Sequence, residues 1–311
     1  MLNPVFLVGS ERSGTTLLRL MLDHHPEIAF NLESEFLVTR ISDEGEFPDI
    51  AEYRTFLRDD RVFSHSRFEI REELDFAGLL DDFLEQKRSR DGKSIVGATV
   101  HYQFRKLSLI WPEAKYIYLY RDGRDVAQSV VQMGWAGNVY AGADWWLEAE
   151  IEWERHRHHI AADAWIEVRY EDLLSDPVGQ LERICRFIGV DYSDLMFGYV
   201  DDTSYKVPDA SLAYQWKKRM GRHDVRMLEE KLGQRLVSRG YELSGHPALS
   251  VSGFRKALLY LHSKISKFAF RVKRYGAPLV LRGMISRRLG LNESWRRVNL
   301  ELSRIDDAML K

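Results

Sequence analysis

Val5-Phe-Leu-Val-Gly-Ser-Glu-Arg-Ser-Gly-Thr-Thr-Leu-Leu18 is the stretch that decides the fold. Val5–Val8 is an uninterrupted apolar run and reads as a buried strand, because a strand covered on both faces shows no polar alternation. The helical run Leu17–Leu22 closes at His24-His25-Pro26, where the proline disfavours continuation. Between strand and helix, Gly9 and Gly14 let the backbone turn so that successive N–H groups face one anion at a helix N-terminus. A nucleoside triphosphate loop needs lysine directly after its second glycine. Here that position is Thr15 and the cation stands earlier, at Arg12. The loop therefore reads as an anion cradle that lacks the lysine reaching for a γ-phosphate, which weakens a kinase or ATPase reading.

The rest of the chain continues the alternation. Tyr116-Ile-Tyr-Leu-Tyr120 is a second clear strand, followed by Arg121-Asp-Gly-Arg-Asp125 and a helix through about Met133. Ile28–Phe30 and Trp165–Val168 read as further strands. Asp176-Pro177 opens the helix Val178–Ile188, with Asp at the N-cap and Pro at the first helical position. Trp145–His159 reads as a long helix whose His156, His158 and His159 form a solvated face rather than a metal site. Ile41–Asp91 is mostly helical and charged, a cap or connection. Strands alternating with helices predict a parallel sheet with right-handed crossovers. The expected architecture is α/β: a single P-loop-like domain over residues 1–247 with a central parallel sheet flanked by helices, then a basic helical extension over 248–311.

With 311 residues, 45% of them hydrophobic, the chain can bury a sizeable core without a metal or disulfide staple. Its one cysteine, Cys185, excludes an intramolecular disulfide and any multi-cysteine metal site. Cys185 shares a helix face with Leu181, Ile184 and Ile188 and is expected to be buried and inert. The opening residues lack the pattern of a signal peptide, and no apolar run reaches the ~18 residues of a membrane span; the expected location is the cytoplasm. Charge is unevenly spread: the formal net charge is −2, but residues 251–311 carry +10 and the remainder −12. That asymmetry points to an anionic partner for the tail.

Gly9-Ser-Glu-Arg-Ser-Gly-Thr-Thr-Leu-Leu18 resembles the 5′-phosphosulfate loop of sulfotransferases that use 3′-phosphoadenosine 5′-phosphosulfate (PAPS). Arg19-Leu-Met-Leu-Asp-His-His-Pro-Glu27 is similar to the tyrosylprotein and related bacterial branches. Tyr116–Ser129 resembles the family's 3′-phosphate strand–turn–helix, whose paired residues are here Arg121 and Ser129; an arginine fork suits a phosphate dianion. Val168–Pro177 is a third similar stretch and puts Tyr170 at the position that lines the adenine pocket. Tyr214-Gln-Trp-Lys-Lys-Arg219 resembles the late basic segment, with Gln215 where the family carries a basic residue and Lys217 as its substitute. Arg124 and Asp125 read as a surface ion-pair network, and Glu171 and Asp172 as structural.

The resemblance implies transfer of a sulfuryl group from PAPS to a hydroxyl or amine, releasing adenosine 3′,5′-bisphosphate, with no metal. Arg12, Ser13, Gly14, Thr15 and Thr16 are expected at the 5′-phosphosulfate, and Arg121, Ser129, Tyr170 and Lys217 at the remainder of the nucleotide. The acceptor, which the sequence does not name, could be a small molecule, a lipid-like alcohol or a peptide. A hydroxyl acceptor needs a base. Glu33 stands where the tyrosylprotein branch carries its catalytic glutamate, with Glu35 two residues on. His101 stands at the spacing of the histidine in the cytosolic branch. The transfer-stabilising lysine of that segment is Ala98 here, so His101, Arg105 or Lys106 must replace it or activity is altered. The alternatives are a non-catalytic binder of adenosine 3′,5′-bisphosphate or sulfated ligands, and a P-loop kinase-like enzyme.

Between residues 251 and 297 lie twelve Lys or Arg against one acid, Glu293. Leu258, Leu261, Ile265, Phe268 and Val272 recur at three- and four-residue steps, which predicts a basic amphipathic helix. Such a helix can lie on an anionic membrane, or pack on the α/β core or a partner subunit with its cations in solvent. No nucleic-acid partner is expected, and homo-oligomerisation is left open.

Overall fold

The computed structural model describes residues 2–309. Five parallel strands form the centre: β1 (Val5–Val8), β2 (Ile28–Glu33), β3 (Ile95–Val100), β4 (Lys115–Tyr120) and β5 (Trp165–Arg169), in the order β2-β3-β1-β4-β5. The chain leaves β1 through helix α1 (Thr15–Asp23) toward one edge, and after β3 crosses β1 to the other side. Ligands of open α/β sheets bind where that reversal opens a crevice at the strands' carboxyl ends. Val8 pairs with Val100 on one side and Tyr118 on the other. Gly9 and His101, each the next residue after its strand, therefore emerge side by side.

The sequence reading left β3 unassigned, since Gly97 and Ala98 dilute its β character. Tertiary packing explains both. A side chain at Gly97 would put its Cβ within 2.5 Å of the Phe30 ring and the Val5 carbonyl oxygen, so glycine is what lets β2 and β1 close on this strand. Ala98 lies in the core.

Helices α2 (Ile50–Asp59), α3 (Arg61–Ser66) and α4 (Phe76–Asp91) make the expected cap between β2 and β3. Phe36, in the turn after β2, and Phe63, Phe68 and Phe83 of the cap pack together through edge-to-face, tilted and stacked ring contacts. Beyond β4, α5 (Gly123–Gln132) packs on α6 (Val139–Arg157). Helix α6 starts six residues earlier than Trp145, capped by Asn138 on the Ala141 N–H. After β5 come α7 (Tyr170–Ser175), α8 (Pro177–Ile188), the short α9 (Tyr199–Asp202) and α10 (Trp216–Arg219), and α11 (Arg222–Ser238). Asp176 caps α8 through the Gly179 N–H, and Cys185 is buried on its inner face, its thiol pushed up to about 11 by burial.

Two expectations about charged groups need correction. His156 is buried rather than solvated, wedged among Phe104, Tyr116 and Trp153. Burial, with the His159 and Arg105 charges, lowers it to about 4. The network around Arg124 and Asp125 is also interior, not at the surface. Arg124 bridges Asp122 and Glu229 at 2.7 Å each and stacks on Trp216, whose backbone N–H is held by Asp125. This cluster locks the start of α5 beneath the site. Glu171 joins it as the structural group expected, accepting from the Asp122 N–H and the Tyr241 hydroxyl.

The extension forms three helices, α12 (Gly253–Tyr275), α13 (Ala277–Arg288) and α14 (Asn292–Met309). Of the predicted segment 248–311, residues 310 and 311 lie outside the described residues, as does Met1 of the main domain.

Candidate active site

The loop after β1 is bent by necessity. Gly9 has φ 147° and a Cβ there would sit 2.2 Å from the Leu119 carbonyl oxygen; Gly14 has φ 95° and a Cβ there would sit 2.3 Å from the Tyr170 ring. Arg12 is held in the left-handed region at φ 69°, a conformation that costs a non-glycine residue energy and is concentrated at functional sites. Arg12 donates from Nε to Ser129 Oγ at 3.0 Å, so the expected 5′ and 3′ halves of the site touch through these two side chains.

Arg121 follows β4 and reaches back to the same loop, its guanidinium donating to the Arg12 carbonyl oxygen at 3.2 Å. It also lies 4.6 Å over the Tyr170 ring, a cation–π contact. Ser13 Oγ and Arg121 Nε are buried and have no hydrogen-bond partner among the described residues. Arg121 lies on the wall of the cavity beside this loop, so an anion seated there can accept from its Nε.

A cavity of about 960 Å³ opens beside the loop. Its wall holds Arg12, Gly14, Thr15, Thr16, Arg121 and Tyr170 on one side, and Glu11, Glu33, Glu35 and His101 on another. The cap contributes Phe56, Asp60 and Val62, and the segment from Ser204 to Leu212 closes a further side. Ser13, Ser129 and Lys217 are not on that wall. Ser13 is buried in the loop, Ser129 engages Arg12, and Lys217 is exposed with its ammonium 5.0 Å from the Tyr214 ring.

Glu33 and Glu35 do not share a face. The chain turns at Ser34, so Glu33 ends β2 exposed while Glu35 starts a 3₁₀ turn and is buried. Glu35 accepts from His101 Nδ1 at 2.8 Å and from the His101 backbone N–H, and His101 Nε2 is 3.0 Å from Thr15 Oγ1. Burial works against a charged His101, but the Glu35 hydrogen bond and the charges of Glu35, Glu11 and Glu33 outweigh it, and its pKa is raised. With both ring nitrogens engaged and its pKa raised, His101 is biased toward the imidazolium beside the loop. Arg105 and Lys106 do not reach the cavity: both turn to Asp43, and Lys106 donates to the Ile41 carbonyl oxygen. Of the three proposed replacements for the lysine missing at Ala98, His101 alone lines the cavity.

Glu11 is the site residue that sequence reasoning missed. Burial pushes its carboxyl up to about 7, helped by Glu35 and Glu33 and opposed by His101 and Arg12. The signal was present, since a carboxylate inside a loop shaped for an anion runs against the loop's own chemistry.

The sulfotransferase family profile matches residues 4–194. The chain belongs to that family. It is 28% identical over 211 residues to protein-tyrosine sulfotransferase 1 of Danio rerio, covering 61% of this chain and 54% of the relative. It is 26% identical over 210 residues to protein-tyrosine sulfotransferase 2 of Gallus gallus, covering 61% and 52%. The chain thus spans about half the length of these curated relatives. Among solved structures, the sulfotransferase domain from the curacin biosynthetic pathway superposes with a TM-score of 0.55 at 19% identity, over 78% of this chain and 99% of that domain. The sulfotransferase domain of the Synechococcus PCC 7002 olefin synthase gives 0.55 at 21%, over 78% and 97%. These two share the fold.

Proposed function

We propose that this protein is a PAPS-dependent sulfotransferase that moves a sulfuryl group onto an acceptor hydroxyl. The observation that carries the reading is the convergence of the Arg12 loop, Arg121 and Ser129 beside a cavity that also holds Glu33 and the His101–Glu35 pair. The unpartnered Nε of Arg121, on the cavity wall, supports an anionic occupant. Arg12 and the amides of Ser13–Thr16 would hold the 5′-phosphosulfate, Arg121 and Ser129 the 3′-phosphate, and the Tyr170 ring the purine. Lys217, on the short helix packed against α5, would add charge near the 3′-phosphate. PAPS, when bound, supplies the activated sulfuryl group. Transfer of this type depends on positioning and charge stabilisation.

The protein's own part in the chemistry divides between two groups. Glu33, exposed at the end of β2 and on the cavity wall, takes the acceptor's proton. His101 keeps positive charge against Thr15 and neutralises what develops on the loop side. A protonated His101 would supply the positive charge that Ala98 does not, which supports transfer over a non-catalytic binder. Phe56, Val62 and Leu212, which also line the cavity, suit a hydroxyl carried on an apolar body. The test is incubation with labelled PAPS and fractionated small-molecule and peptide acceptors, read by mass spectrometry for an added sulfuryl group. Binding of adenosine 3′,5′-bisphosphate without any transfer, or tighter binding of ATP with magnesium, would refute it.

A further inference from the structure

The apolar stripe of α12 faces away from the body of the protein, contrary to packing on the core. The helix docks through its opposite side. Asn138 donates to the Leu259 carbonyl oxygen at 2.7 Å, and Ser263 Oγ, on the one fully buried residue of α12, accepts from the Gly137 N–H at 2.9 Å. Gly137 and Gly134 allow the approach, since a Cβ at either would lie within 2.5 Å of Ser266 or Phe270. Phe254, Leu258, Leu261, Ile265 and Phe268 are exposed, Phe254 at 76% and Ile265 at 61%. At 100° per residue these five fall within about 80° of one another, centred opposite Ser263. Lys264 and Arg271 flank the stripe on one side. Helix α13 adds exposed Leu281, Met284 and Ile285, and Leu289 follows at its C-cap. Residues 253–291 hold ten Lys or Arg and no Asp or Glu.

We propose that the outer face of α12 and α13 docks the protein onto an anionic lipid bilayer. Exposed apolar patches of this extent mark interaction sites, and an apolar stripe flanked by cations is the pattern of a helix lying in the membrane interface. The charge selects the occupant: of the ten cations Lys256 pairs with Glu230 and Arg274 with Asp306, and the others, in a segment with no acid of its own, oppose a second copy of the same face, while the apolar stripe has no use on a nucleic-acid backbone. Among the described residues no helix is long and apolar enough to cross a membrane. Docking of this kind is peripheral and independent of the chemistry proposed for the cavity.

The full-length protein should co-sediment with vesicles of phosphatidylcholine and phosphatidylglycerol and much less with phosphatidylcholine alone, with attraction falling as salt rises. Lys264→Ala, Lys267→Ala and Arg271→Ala together should lower partitioning by about a hundredfold, roughly fivefold per cation. Leu261→Glu with Ile265→Glu should abolish it, while circular dichroism and adenosine 3′,5′-bisphosphate binding stay unchanged because neither residue faces the body. Absence of sedimentation at low salt overturns the proposal. So does equal binding to neutral vesicles, or a dimer by light scattering that Leu261→Glu dissociates without any vesicle binding.

Discussion

Glu11→Gln should flatten the pH dependence of nucleotide binding. In the wild type, burial and the nearby Glu35 and Glu33 charges hold the Glu11 carboxyl at about 7, so it is largely protonated at pH 6 and largely ionised at pH 8. An anion in the Arg12 loop favours the protonated form. Keeping the proton at pH 8 costs about 1.4 kcal/mol for a group one unit below, roughly tenfold in affinity. Calorimetric titration with adenosine 3′,5′-bisphosphate should therefore show the wild type binding about tenfold more weakly at pH 8 than the Glu11→Gln variant, once both are normalised at pH 6. The second ionisation of the ligand's phosphates, near 6, acts in both proteins and cancels in the comparison; His101 does not, since the variant lacks the Glu11 charge that favours its imidazolium, and this narrows the difference without reversing its sign. At pH 7.5 the wild type should also take up more protons on binding than the variant, read from buffers of different ionisation enthalpy. Parallel pH profiles for the two proteins would show that Glu11 is not coupled to the loop's anion.

The same substitution bears on stability. The folded carboxyl is raised from 4.5 to about 7, so across that window the native state holds a proton that the unfolded chain has released, and stability falls as pH rises. Glu11→Gln should remove that fall, measured by denaturant unfolding at pH 5 and pH 8. Glu33→Gln should leave nucleotide affinity intact and lower turnover by about 10²-fold, as for a lost general base; a mild loss, with a larger one in His101→Ala, reverses the roles. Arg121→Ala should weaken adenosine 3′,5′-bisphosphate by about 1.5–3 kcal/mol but adenosine 5′-phosphosulfate far less, and equal losses refute its placement at the 3′-phosphate. Gly14→Ala should abolish binding of both ligands by calorimetry, because the added methyl meets the Tyr170 ring and the backbone there is left-handed.

The strand–loop–helix at Val5–Leu22 and the Arg121–Ser129 turn were legible because local pattern and packing agree there: apolar runs, glycines where φ is positive, caps where helices start. β3 was not, since Gly97 and Ala98 are chosen by the closeness of Phe30 and the Val5 carbonyl, which no local periodicity encodes. His156 misled for a related reason. Its neighbours His158 and His159 are exposed, and only the meeting of α6 with Tyr116 and Phe104 buries it. The α12 stripe was read correctly as amphipathic, yet which face meets the body depends on Gly134 and Gly137, more than a hundred residues away in sequence.

Register explains why residue 101 lines the cavity and residue 98 does not. Ala98 pairs with Phe6 inside the sheet, three residues before His101, which is the first residue past the strand and lies beside the loop. A lysine side chain at 98 would have to leave the core to reach the cavity; a histidine at 101 is already there. Holding positive charge on an imidazole requires help that lysine does not, and Glu35 provides it from the buried turn after β2. The consequence is that the site's charge becomes responsive to pH: the charge on Glu11 favours the imidazolium, and the imidazolium favours ionised Glu11. An incoming anion opposes the second of these and reinforces the first, so its arrival selects the state with His101 charged and Glu11 neutral. That state places one positive ring and one neutral carboxyl beside Arg12, an arrangement that favours an anion there.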